Sequence, residues 1–134
     1  MNFIIMLSLH IEDNEILYRA IPDKPNMWKP ELDRLTTAVF KDSHGLSVDR
    51  DGHRNEQQVI IDFDKRFSNK RGIVSILTKT CREIGTKPIA KPEEDNIYHA
   101  EIYDTDGSIK IKNSKVKKLR DACNIVRRPP FAKL

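Results

Sequence analysis

Two alternating segments in the last third of the chain constrain the fold most strongly. IYHAEIY at 97–103 and SIKIK at 108–112 flank the turn sequence Asp-Thr-Asp-Gly. Period-two alternation is typical of half-buried β-strands, and a short polar turn with glycine between two such runs favours a hairpin. The sequence therefore predicts antiparallel pairing at this point, within an antiparallel or mixed sheet.

Further short apolar runs, broken by proline, glycine and polar turns, predict the other elements. Extended segments are expected at 3–10, 15–21, 46–50 and 72–80, whereas 30–40 suits either a helix or a strand and 80–88 is expected to be irregular. Apolar residues at helical spacing predict a helix over 56–67, with Asn55 as its N-cap. With a second helix near the C-terminus, the interpretation is a single α+β domain over 1–134 with about two helices.

The second helix is expected to be amphipathic and basic. Val116, Leu119, Cys123 and Val126 share one helical stripe, and the prolines at 129 and 130 would end it. Residues 107–134 carry a net charge of +8, so the remaining 106 residues sum to −4. The basic candidates for binding nucleic acid or phosphate are Lys110, Lys112, Lys115, Lys117, Lys118, Arg120, Arg127 and Arg128.

This basic surface has two interpretations. It suits a nucleic-acid backbone or an acidic protein partner, and lysines at the start of a helix can seat a phosphate. Lysines on a solvent-facing helix also simply keep a protein soluble. No aromatic residue is interleaved with them to stack bases.

Composition argues against several other classes. Cys81 and Cys123 are the only cysteines, and their spacing matches neither a zinc site nor a disulfide framework, so a reducing cytoplasm is expected. The apolar run FIIMLSL is too short to span a bilayer and lacks the features of a signal peptide. No metal, no cofactor and no membrane association are expected.

His99 and Glu101 form the first candidate catalytic pair. Strand alternation places them on one face and Ala100 and Ile102 on the other. If the alanine and isoleucine face the core, the carboxylate can orient the imidazole for acid–base chemistry. The alternative is an ordinary solvated sheet face.

Arg19 is the second notable residue, because alternation places it on the same face as Leu17 and Ile21. A guanidinium there either extends to water or is held by a carboxylate or a ligand phosphate. The order Arg19, Ser47, Glu101 resembles one class of ADP-ribosyltransferases. That resemblance implies that the arginine and serine hold NAD and that the glutamate activates the acceptor or stabilises the oxocarbenium ion.

A second resemblance covers nearly the whole chain. The series LYRAI, LTTAVF, GLSV and DNIYHAEI, followed by SKVKKLRDACNIV, resembles a family of small bacterial proteins with no assigned activity. It implies a compact bacterial, cytoplasmic domain. Two functions follow from the sequence: a binding module for nucleic acid or another anionic partner through 110–128, or a nucleotide-processing enzyme that uses Arg19, Ser47, His99 and Glu101.

Overall fold

Antiparallel strands and three α-helices make up the computed structural model, which describes residues 7–130 and 132. The strands are β1 (Ile16–Ala20), β2 (Trp28–Lys29), β3 (Arg34–Leu35), β4 (Leu46–Arg50), β5 (Ile73–Leu77), β6 (Thr86–Ala90), β7 (His99–Asp104) and β8 (Asn124–Arg127). The helices are α1 (Glu56–Arg66), α2 (Thr78–Ile84) and α3 (Asn113–Ala122). The expected α+β class with an antiparallel sheet is confirmed.

Six of these strands form one sheet in the order β6-β7-β4-β1-β5-β8, and β2 pairs with β3 separately. Every pairing in the large sheet is antiparallel. The register places Ser47 opposite Glu101 and Asp49 opposite His99, so these four residues lie on one face of the sheet.

Helix α1 covers part of this face. The Asn55 side chain accepts a hydrogen bond from the Gln58 backbone N–H at 2.8 Å, which confirms the predicted N-cap. Val59 and Phe63 are buried against Tyr18 on β1 and Ile73 on β5. The helix therefore covers the β1-β5-β8 half of the sheet, reaches Asp49 on β4 through Arg66, and leaves most of the β4-β7-β6 half uncovered.

The opposite face holds the larger core. Helices α2 and α3 bury Cys81, Val116 and Leu119 against it. Ala100 and Ile102 on β7 are both 0% exposed and point into this core, as the alternation predicts. Because successive strand residues point to opposite faces, His99 and Glu101 must lie on the open side.

Three expectations about local structure are wrong. Residues 108–112 form no strand, because both edges of β7 are already taken by β4 and β6. Residues 78–84 form α2 and 86–90 form β6, although 72–80 was expected to be extended and 80–88 irregular; α2 ends where Gly85 adopts a left-handed φ of +99°. Helix α3 ends at Ala122, because 124–127 pair with the free edge of β5.

Two further segments differ from the expected elements. Within 3–10, residues 3–6 lie outside the described residues, and residues 7–10 do not form a strand. The segment 30–40 is neither a continuous helix nor a continuous strand: it contains the short 3₁₀ turns Pro30–Leu32 and Thr37–Phe40 with β3 between them. None of the helices described is long and apolar enough to cross a membrane.

Candidate functional site

A cleft of about 290 Å³ lies where helix α1 stops covering the sheet. One wall carries the last turn of α1 and the residues after it, and the other wall is formed by the open face of β4 and β7 together with the loop that precedes β7. The side chains that line these two walls include Phe63, Arg66, Phe67 and Arg71 on the first and Ser47, Asp49, Glu93 and His99 on the second.

Arg19 on β1 also lines this cleft, although its side chain starts from the opposite face of the sheet. Pairing between β1 and β4 stops at Tyr18 and Asp49, and beyond this point the Arg19 guanidinium takes over the hydrogen bonding. Its Nη1 donates to the Ser47 carbonyl at 2.8 Å and its Nε donates to the Val39 carbonyl at 2.7 Å. The residue is 6% exposed, so it does not extend into water.

The charge of Arg19 is weakly compensated. The nearest carboxylate is Asp42, whose Oδ2 lies 3.9 Å from the Arg19 Nη2. Burial lowers the pKa of Arg19 to about 10, and the charge of Asp42 only partly opposes this. A buried cation that bonds mainly to neutral carbonyls is costly, and a bound anion would stabilise it.

Arg50 is a second buried arginine, and its charge is neutralised by a carboxylate in direct contact. It is 4% exposed, and its Nε and Nη2 donate to the two carboxylate oxygens of Glu15 at 2.8 and 2.9 Å. Its Nη1 also donates to the Ser8 carbonyl at 2.6 Å. Two equally buried arginines on adjacent strands therefore differ in one respect: only Arg50 has a bidentate carboxylate partner.

His99 lies between two carboxylates on the opposite wall. Its Nε2 is 3.4 Å from Glu101 Oε2, and its Nδ1 is 3.6 Å from Glu93 Oε1. Its side chain is 14% exposed, whereas that of Glu93 is 56% exposed. The two carboxylates hold the ring plane in place, and a general acid or base needs an imidazole that is oriented in this way.

Glu101 is itself fixed by hydrogen bonds. The Tyr103 hydroxyl donates to its Oε1, and Lys91 Nζ lies 3.6 Å from the same oxygen. Burial on its own would raise the pKa of Glu101, but the hydrogen bonds from Tyr103 and His99 and the charge of Lys91 lower it. Glu101 is therefore an anion that positions His99.

Asp49 is a cleft residue that sequence reasoning missed. It is 5% exposed, its Oδ2 accepts from Arg66 Nη2 at 2.8 Å, and its Oδ1 accepts from the Asn96 side-chain amide at 3.1 Å. Asp49 begins the motif DRDG, which suggests turn chemistry. The available signal was the alternation of LSVDR, which places Asp49 on the same side of the strand as Ser47.

The structure brings together three of the four catalytic candidates. Arg19, Ser47 and His99 all line the cleft. Glu101 does not line it directly but lies opposite Ser47 and contacts His99. Sequence reasoning also missed Asp42, Arg66, Arg71 and Glu93, because loop and helix residues carry no pattern that predicts which strand they face.

The eight basic candidates divide into two sets. The ion-paired set consists of Lys115 with Asp104, Arg120 with Asp121, Arg127 with Asp64, and Arg128 with Asp33. The exposed set consists of Lys110, Lys112, Lys117 and Lys118, which form no ion pair with any residue in the described part of the chain. The basic surface is therefore smaller than the sequence suggests.

The start of helix α3 already holds an anion from the chain itself. Asp104 Oδ2 accepts from the Lys112 backbone N–H at 3.0 Å, and Oδ1 accepts from Lys115 Nζ at 2.5 Å. These hydrogen bonds, that from Lys115 first, hold the pKa of Asp104 well below its usual range. Asp104 therefore takes the position near the helix N-terminus at which the sequence suggests a phosphate.

Comparisons with protein-family models, curated proteins and solved structures found no match. Function must therefore be inferred from the geometry of the cleft and of the exposed lysines.

Proposed function

We propose that the protein binds a small phosphorylated ligand in the cleft and acts on it by proton transfer. Arg19 supports this proposal most strongly, because its buried guanidinium lacks the close carboxylate that Arg50 has. Phosphate oxygens accept the N–H donors that a guanidinium presents. Arg19 would hold the anion, and the half-buried Arg71 would add a second positive charge at the cleft.

His99 is placed to move a proton on such a ligand. It lines the cleft together with the exposed Ser47, and Glu101 orients its ring from the side away from the cleft. In this assignment Arg19 binds, His99 is the acid or base and Glu101 is a positioning residue. An ADP-ribosyltransferase-like reaction would instead require Glu101 to act on the substrate itself, and Glu101 does not line the cleft.

Binding is tested by titrating inorganic phosphate and pyrophosphate at low ionic strength with calorimetry. We expect binding to the unaltered chain and a loss of at least about tenfold in affinity in Arg19→Gln. Because Arg19 also supports two carbonyls, Arg71→Gln is a second variant that leaves those hydrogen bonds intact, with an expected loss of about threefold. Arg34→Gln is the matched control, since Arg34 is exposed on β3 away from the cleft.

Nuclear magnetic resonance separates this site from adventitious phosphate binding. Phosphate should shift the imidazole signals of His99 and leave those of the exposed His53 unchanged. The absence of binding up to about 10 mM phosphate or pyrophosphate overturns the proposal, and so does binding that moves His53 but not His99.

A second candidate function is the capture of a polyanion by the exposed lysines. Lys110, Lys112, Lys117 and Lys118 are exposed and lie within nine positions of one another around the start of α3. Counterion release would make nucleic-acid binding fall steeply with salt. The polyanion proposed here is a nucleic-acid backbone, and an acidic protein is the alternative partner.

Fluorescence anisotropy with a single-stranded oligonucleotide at about 50 mM salt tests the lysines. The double variant Lys117→Glu with Lys118→Glu should abolish binding. The matched control is Lys24→Glu with Lys29→Glu, which changes the net charge equally at exposed positions elsewhere. Equal losses in the two double variants would indicate attraction by net charge alone and would contradict a defined surface.

A further inference from the structure

An apolar cavity of about 400 Å³ adjoins the anion-binding cleft. Its walls are mainly the side chains of Phe40, Leu46, Ile111 and Val116. Ile109, which is 48% exposed, lies at this cavity. Concave sites of this size, apolar with a few polar groups, are typical of small-molecule binding.

The cavity and the cleft share a wall. Asp42 lines both of them, and the consecutive residues Leu46 and Ser47 line the cavity and the cleft respectively. Successive strand residues point to opposite faces, so the two sites lie on either side of the sheet at the first residues of β4. A ligand that occupies both the cavity and the cleft must therefore extend along the loop at 41–45. This loop contains Asp42, the carboxylate that approaches Arg19.

The lining of the cavity selects the chemistry of its occupant. Apolar side chains suit the faces of a planar ring, and the exposed Asn113 side chain offers an amide donor and acceptor for a polar ring edge. Lys41 and Lys110 also line the site and favour a ligand that is anionic overall. A nucleobase combines a planar apolar body with a polar edge, whereas an acyl chain would leave Asn113 unused.

We infer that the ligand is a nucleotide whose phosphate is held at Arg19 and whose base occupies the apolar cavity. This inference rests on the proposed function, because the cleft must hold the phosphate. It adds that the chain distinguishes nucleotides from other phosphorylated compounds, and that Phe40, Ile109 and Asn113 determine this specificity.

The test compares inorganic phosphate, ribose 5-phosphate and AMP by calorimetry. AMP should bind at least about tenfold more tightly than ribose 5-phosphate, because only AMP places a ring in the cavity. Ile109→Lys should remove this difference and leave the affinity for inorganic phosphate within about twofold. The matched control is Ile125→Lys on β8, a residue that is 42% exposed and should change neither affinity.

The outcomes separate the two proposals. Phosphate binding that depends on Arg19, with AMP no tighter than ribose 5-phosphate, overturns the inference and leaves the proposed function standing. Tight AMP binding that survives Ile109→Lys places the base elsewhere and also overturns the inference. If none of the three compounds binds, both proposals fall together.

Discussion

Arg19 and Asp42 approach each other to 3.9 Å without forming a hydrogen bond. The distance is too long for N–H···O bonding, yet short enough for the carboxylate to offset part of the buried positive charge. Asp42 is 36% exposed and can therefore be displaced by a better anion. The cleft therefore keeps a positive charge at Arg19 that Asp42 only partly neutralises.

Replacing Asp42 with asparagine should strengthen anion binding. Asparagine removes the competing negative charge and retains an oxygen to accept from the His44 backbone N–H, as Asp42 does at 2.9 Å. Phosphate affinity should rise roughly three- to tenfold in a calorimetric titration. Asp23→Asn, at another exposed aspartate, makes the same charge change and should have little effect; equal gains in the two variants would indicate net charge alone.

The two buried arginines should respond differently to truncation. Arg50→Gln leaves the Glu15 carboxylate, which is 11% exposed, without its cationic partner. The free energy of unfolding should fall by roughly 3–5 kcal/mol. Arg19→Gln leaves no close carboxylate without its partner. The weakening of two hydrogen bonds to carbonyls should lower the free energy of unfolding by about 1–2 kcal/mol. Urea unfolding at neutral pH measures both, and similar losses would contradict the assignment of Arg19 as a ligand-binding residue.

The negative charge of Asp104 should stabilise the fold at neutral pH and lose this effect in acid. Its pKa is lowered in the folded state, first by the hydrogen bond from Lys115, so its contribution is present above the unfolded value near 3.8 and lost as the pH falls below it. Asp104→Asn should cost about 2 kcal/mol at pH 7. Unfolding curves recorded from pH 7 down to pH 2 should show the difference from the unaltered chain narrowing below about pH 4. A constant difference would mean that the charge of Asp104 contributes nothing.

Tyr103 should control the acidity of Glu101. Tyr103→Phe removes the hydroxyl that donates to Glu101 Oε1, so the pKa of Glu101 should rise towards or above its ordinary value. Side-chain carboxyl signals followed by nuclear magnetic resonance through an acid titration measure this change. Tyr98→Phe is the control, since the Tyr98 ring stacks on Arg54 and not on Glu101. An unchanged Glu101 titration would show that Lys91 and His99 suffice to stabilise the anion.

The amino-acid sequence correctly predicted the elements that depend on a local pattern. The cap at Asn55 and the helix that follows it were predictable because capping and helical spacing involve residues within a few positions of one another. The division of β7 into two faces was predictable for the same reason, since alternation places Ala100 and His99 on opposite sides, and the structure shows that Ala100 is the buried one. For Arg19, the sequence suggested either extension into water or a carboxylate or ligand phosphate as partner, whereas the structure shows a buried guanidinium that donates to two backbone carbonyls.

Competition between distant segments was not predictable in this way. The run SIKIK has the pattern of a strand but finds no free edge, because β4 and β6 already pair with β7. The last residues of the expected basic helix instead form β8 on the edge of β5. Likewise, three sequence-predicted residues reach one cleft only because β1, β4 and β7 are neighbours in the sheet.

The amino-acid sequence by itself therefore determined which side chains face inward, where helix α1 begins and that Arg19 is a charged group among apolar neighbours. Only the tertiary structure decided that Arg50 receives the Glu15 carboxylate while Arg19 receives two carbonyls and a distant Asp42. The physical reason is that burial patterns are local, whereas the partner of a buried charge depends on which remote segments the sheet brings within hydrogen-bonding distance.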